Sequence, residues 1–164
     1  AVPSQREFER SVVLAATRNL TMDIPERSPD RAAKQDAGVP VVLLVEDDPS
    51  TIIYMTQLLK SQYRIVPARC AADMWDELQR NSIAVVLMDI ALRGNTDGLQ
   101  LTRQIRESGA HAAIPVIAVT AFASEQDRQR CLAAGCTAYF TKPINTKMFL
   151  QTLKELALRP LQNA

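Results

Sequence analysis

Nothing in the 164 residues approaches a membrane span: every apolar run is far shorter than the roughly 20 residues a bilayer-crossing helix needs. The opening stretch, AVPSQREFER, also lacks the apolar core of a signal peptide, so the chain is expected to be cytoplasmic. Cysteine is scarce. Cys70, Cys131 and Cys136 are odd in number and show neither C-x-x-C nor a Cys/His ligand spacing, which argues against a disulfide framework or zinc site and suits reduced thiols. Neither charge sign dominates: 19 basic and 18 acidic residues leave a net charge of +1, so there is no electrostatic footprint of a nucleic-acid binder. The G-x-G-x-x-G and GK[ST] signatures of nucleotide-binding loops are missing as well.

What is there is enough for one domain and an appendage. Between Arg6 and Leu20, the residues Phe8, Val12, Ala16 and Leu20 recur at helical spacing. The polar stretch TMDIPERSPDRAAKQDAGVP follows, with Pro25, Pro29 and Pro40. This divides the chain into an N-terminal helix and linker over residues 1–38, a domain over 39–159 and a tail over 160–164. Within the domain, the apolar runs VPVVLLV, YRIVPA, IAVVLM, IPVIAV and TAYF alternate with stretches long enough for helices. Asp48 before Pro49 is expected to cap a helix, Ser124 with Asp127 forms a capping box, and Gly135 is a helix stop. Five β-α units result. Their strands are continuously apolar rather than alternating, which predicts a doubly wound α/β fold: a parallel five-stranded sheet with helices on both faces.

In such sheets ligands bind beyond the carboxyl ends of the strands, so the residues that end each run matter most. The first run ends in Glu46, Asp47 and Asp48, the third in Asp89 and the fourth in Thr120, while Lys142 and Pro143 follow the fifth. Taken singly, each has an ordinary explanation: an acid after a strand is often a cap, Thr120 a turn residue and Lys142 a solvated charge. Together they converge on one edge. Asp89 ends a run that should be buried, where carboxylates are seldom found unless paired or bound to a metal. Three carboxylates within about 5 Å repel by several kcal/mol per pair at an effective dielectric of about 20, so the group needs a cation. An oxygen-only donor set with open positions suits Mg²⁺.

The order LLVEDD, LMD, VT and KP, with VTAFASEQDRQRCLAAGCTAYFTKPI, resembles the receiver domain of bacterial-type two-component response regulators, from about Val39 to Leu158. The resemblance implies a flavodoxin-like strand order, 2-1-3-4-5, and a phosphoryl group accepted by Asp89 from a phosphohistidine. It implies Mg²⁺ bound directly by Asp47 and Asp89, through water by Glu46, and by the backbone carbonyl of Ala91. Thr120 and Lys142 match the hydroxyl and amine that contact the phosphoryl oxygens, and Tyr139 falls at the aromatic switch position. The Lys142–Pro143 bond is cis in this family. Ala91 and Phe122 occupy the two positions that tune self-catalysed loss of the phosphoryl group, so the domain is expected to be a signalling phosphoacceptor rather than a turnover enzyme. The chain departs from the family at Arg93, where proline is common, and its loop ALRGNTDG is one residue longer than usual.

The donor implied is a histidine kinase or histidine phosphotransfer protein. The output is a protein target on the face of the fourth helix, fifth strand and fifth helix, with homodimerisation left open and no direct nucleic-acid contact. Three rival assignments would require other residues. A haloacid-dehalogenase-type phosphatase would carry an acid two residues after the nucleophile, where this chain has Ala91. A histidine phosphotransfer domain would need a helix-borne histidine, yet the one histidine, His111, sits in GAHAAIP before an apolar run. A degenerate receiver, acting as a phosphorylation-independent interaction module, would usually lack one of the acids, the threonine or the lysine. No basic helix-turn-helix follows Leu158. The polar linker and the absence of an initial Met lean towards a receiver cut from, or tethered within, a longer protein such as a hybrid kinase, against a stand-alone regulator.

Overall fold

A computed structural model describes residues 38–93 and 97–159. The helix expected between Arg6 and Leu20, its linker, the tail over 160–164 and residues 94–96 of the long loop lie outside the described residues.

Among the described residues five strands and five helices alternate: β1 Val41–Val45, α1 Pro49–Leu59, β2 Arg64–Ala68, α2 Ala71–Arg80, β3 Ile83–Asp89, α3 Gly98–Glu107, β4 Val116–Thr120, α4 Glu125–Ala134, β5 Ala138–Thr141 and α5 Thr146–Ala157. All pairings are parallel. The strand order is β2-β1-β3-β4-β5, so the expected doubly wound topology is the one observed.

Alternation along the strands explains why the runs are apolar throughout. Val42 and Leu44 of β1, Val85 and Leu87 of β3, and Ile117 and Val119 of β4 bury against Ile52, Met55 and Leu59 of α1 and Phe149, Leu153 and Leu156 of α5. The intervening residues, among them Leu43, Val45, Val86, Met88 and Ala118, bury on the other face against Met74, Leu78, Leu101 and Ile105 of α2 and α3 and Cys131 of α4. Each strand thus feeds two cores. The edges depart from the expectation of full cover. β5 is half-buried along its whole length and Pro67 of β2 is exposed, because each of these strands has only one neighbour.

The helix ends are fixed by the signals in the sequence. Asp48 Oδ2 accepts from the Thr51 amide at 2.7 Å, with Pro49 at the first helical position of α1. Ser124 Oγ accepts from the Asp127 amide at 3.0 Å, and Gly135 ends α4 at φ 103°. Asp97 and Asn145 cap α3 and α5 in the same way. At the amino-terminal end of β4, the Arg106 guanidinium donates to the carbonyls of Gly135, Ala112 and Ile114 at 2.7–2.9 Å, locking the end of α3 to the turn after α4.

Candidate functional site

The parallel sheet brings the carboxyl ends of β1, β3, β4 and β5 to one edge, and the register sets which residues meet there. Val45 of β1 is paired with Met88 of β3, so Glu46 and Asp47 emerge beside Asp89. Asp89 is in turn paired with Val119 of β4, and Thr120 with Thr141 of β5, which brings Lys142 to the same rim. The Lys142 amide donates to the Thr120 carbonyl at 2.8 Å, holding the last two strand ends together.

Glu46 and Asp89 are 2% and 7% exposed, a burial carboxylates rarely accept without partners. Glu46 Oε1 accepts from the Asp48 amide at 3.0 Å and Oε2 from Lys142 Nζ at 3.1 Å. Asp89 Oδ1 accepts from the Ala91 amide at 3.0 Å, and its Oδ2 lies 3.9 Å from Lys142 Nζ. Lys142 therefore leans towards Glu46. Burial pushes the Glu46 carboxyl up to about 7, against the pull of Lys142 and reinforced by the charge of Asp89. Asp47, farther out, accepts at Oδ2 from the Arg93 amide at 3.2 Å, with Arg93 Nε 3.7 Å from the same oxygen.

One carboxylate oxygen from each of Glu46, Asp47 and Asp89 lies within 4.8 Å of the others. Hard oxygen donors gathered so closely, more acids than cations, fit Mg²⁺ in both chemistry and charge. Asp48 stands apart as a cap: although burial works to raise it, bonds from the amide and hydroxyl of Thr51 hold its carboxyl below the ordinary range. The cap expected at Asp48 is the one observed.

Thr120 is fully buried, and its Oγ1 accepts from the Phe122 amide at 3.1 Å. The Tyr139 hydroxyl donates to the Phe122 carbonyl, so the two expected switch residues hold the same residue from opposite sides. A cavity of about 400 Å³ opens next to them, lined by Ala91, Leu92, Thr120, Phe122 and Cys131. The Lys142–Pro143 peptide is cis. His111 lies before β4, at the opposite end of the sheet from the acids, with its ring centroid 6.3 Å from that of Trp75.

Two participants were not singled out as site residues from the sequence. In the sequence Arg93 is only a departure in the loop, and its contact with Asp47 needs the fold to bring them together. Gly98 starts α3 directly beneath Asp89: a Cβ there would stand 2.3 Å from the Asp89 carbonyl oxygen. The Asp-Gly pair was the available signal.

Residues 42–154 match the family model described as the response regulator receiver domain. The polar-differentiation response regulator DivK of Brucella ovis is 34% identical over 114 residues, covering 69% of this chain and 92% of that protein. Among solved structures, the receiver domain of sensor histidine kinase PA1611 from Pseudomonas aeruginosa PAO1, with a magnesium ion coordinated in its active site cleft, is 31% identical. It superposes with a TM-score of 0.65, over 73% of this chain and 98% of that one. The signal receiver domain of a DNA-binding response regulator from Colwellia psychrerythraea 34H is 29% identical with a TM-score of 0.68, over 73% and 99%. Among the described residues no helix is long and apolar enough to cross a membrane. Fold, strand-end residues and relatives agree, and the chain belongs to the response regulator receiver domain family.

Proposed function

We propose that this domain accepts a phosphoryl group on Asp89 from a phosphohistidine of a histidine kinase or histidine phosphotransfer protein, in a Mg²⁺-dependent reaction. The observation that carries the proposal is the pairing of a buried strand-end carboxylate, Asp89, with two further acids and with Lys142 Nζ at 3.9 Å. Glu46, Asp47, Asp89 and the carbonyl of Ala91 would hold the ion, by analogy with the magnesium in the cleft of the PA1611 receiver. When bound, Mg²⁺ supplies neutralising charge to the acids and the phosphoryl oxygens.

A carboxylate oxygen of Asp89 bonds to phosphorus as the phosphorus–nitrogen bond to the donor imidazole breaks. The electron pair returns to the ring nitrogen, and the product is an acyl phosphate. Lys142, already bridging Glu46 and Asp89, has donors to turn towards the incoming oxygens. The Thr120 hydroxyl, an acceptor towards Phe122, retains its own proton to donate. Such a charge-assisted bond is worth about 1.5–3 kcal/mol, enough to tip two states that differ by one or two. Thr120 moving towards the phosphoryl group would release the Phe122 segment, and the Tyr139 ring would follow, changing the surface of α4, β5 and α5 that a target protein reads. Ala91 and Phe122 flank the route by which water would remove the phosphoryl group in the same site. Asp89 is regenerated, which makes the domain a signalling phosphoacceptor and not a turnover enzyme.

In this proposal residues 39–159 form the receiver, preceded by an N-terminal helix and linker over 1–38 and followed by a tail over 160–164. It acts in the cytoplasm through protein partners, without direct nucleic-acid contact. The test is transfer from a radiolabelled phosphohistidine protein. Label should move to this chain with Mg²⁺ and not in excess chelator, whereas a protein that takes no label from any kinase or phosphotransfer donor is the degenerate interaction module instead.

A further inference from the structure

Among the described residues two side-chain cations touch the acid group, and they differ in kind. Lys142 comes from the β5 rim and is itself 81% covered, its side chain being 19% exposed, and it reaches the buried acids Glu46 and Asp89. Arg93 comes from the loop after β3, with its side chain 86% exposed, and reaches only Asp47, whose side chain is 17% exposed. Its backbone amide holds Asp47 Oδ2 at 3.2 Å whatever side chain follows, while Nε adds a charge at 3.7 Å from that same oxygen. A guanidinium is weakly hydrated and carries its donors on a mobile stem, so it can stand over a carboxylate and withdraw from it without disturbing the fold.

We infer that Arg93 is a built-in competitor for the cation site: its guanidinium neutralises Asp47 in the metal-free protein and must leave that oxygen for a divalent cation to bind. The inference rests on the proposal that Glu46, Asp47 and Asp89 hold Mg²⁺, and it adds a residue that sets how tightly. Two positive charges at one carboxylate oxygen repel, so ion and guanidinium are alternatives there.

Calorimetric titration of the full chain with Mg²⁺ tests this without any phosphoryl donor. Arg93→Gln keeps the backbone amide and a polar group at about the position of Nε but removes the charge, and Arg93→Lys keeps the charge. Arg93→Gln should bind Mg²⁺ about two- to fivefold more tightly than wild type at low salt, the span of an exposed ion pair. Arg93→Lys should fall between Arg93→Gln and wild type. The gain should shrink as ionic strength rises from about 0.01 M to about 1 M, where the screening length falls from about 30 Å to about 3 Å. A change of loop packing would not follow salt in that way. Equal or weaker binding by Arg93→Gln, or a gain that persists at high salt, overturns the role of Arg93 while leaving the metal site standing. Absence of Mg²⁺ binding in all three proteins removes the metal site and Arg93's role together.

Discussion

Gly98 lies against the backbone of Asp89, so close that a Cβ at Gly98 would stand 2.3 Å from the Asp89 carbonyl oxygen and 2.9 Å from the Ile90 Cα. Neither neighbour is a side chain that could swing away. The Gly98 amide also donates to the Ile90 carbonyl at 3.2 Å, so the first turn of α3 is laid directly on the segment that carries Asp89. Gly98→Ala should therefore cost about 1–3 kcal/mol of stability, the range for overpacking a filled site, and should also weaken Mg²⁺ binding. Urea unfolding and calorimetry measure the two effects, and an alanine variant equal to wild type in both would show that α3 can move away freely.

Asp47 and Asp48 are neighbours with different work. Asp47→Asn removes a charge from the three-acid group and should weaken Mg²⁺ by about tenfold or more. Asp48→Asn keeps a side chain that caps a helix nearly as well, so Mg²⁺ affinity and stability should change little. Equal losses in calorimetric titrations of the two variants would mean the wrong acid had been assigned.

That Glu46, Asp47 and Asp89 gather at one edge of the sheet was legible because each closes an apolar run, whereas the roles expected of them rest on the family resemblance. Caps at Asp48, Ser124 and Gly135 were legible because they act over three or four residues. The contact of Arg93 with Asp47 joins positions 46 apart in sequence, and nothing local to either residue announces it. The half-buried state of β5 depends on its being an edge, which composition does not encode: its residues AYFT are apolar enough for an interior strand. The close approach of Gly98, signalled locally only by the Asp-Gly pair, is defined once α3 is set beneath β3.

The bonds around Phe122 link the two proposed switch residues, with Thr120 Oγ1 accepting from its amide and the Tyr139 hydroxyl donating to its carbonyl. Thr120→Ala should still take phosphate at Asp89 but should respond weakly. Chemical-shift changes at Tyr139 and along α4 should be much smaller than in wild type. Full wild-type changes in the phosphorylated variant would direct the signal through the loop after β3 instead.

The thiols should divide sharply. Cys70 is exposed, whereas Cys131 and Cys136 are buried, so iodoacetamide should label Cys70 alone until the chain unfolds. Burial, with Cys136 and Asp127 close by, pushes the Cys131 thiol from 9.0 up to about 11. Between those values the folded chain keeps a proton that the unfolded chain has lost, so unfolding releases protons and stability falls as pH rises through that interval. Urea midpoints of wild type and Cys131→Ala should show a shallower decline in the variant. An identical decline, or labelling of native Cys131 as fast as Cys70, would contradict the buried, protonated thiol.

The most direct measurement is intact-mass spectrometry of the full chain after exposure to acetyl phosphate, which supplies a phosphoryl group without a partner protein. With Mg²⁺ the wild type should gain the mass of one phosphoryl group. That gain should vanish in excess chelator and in Asp89→Asn. A gain of the same size in Asp89→Asn, or one untouched by chelator, would contradict Asp89 as the phosphoacceptor of this site.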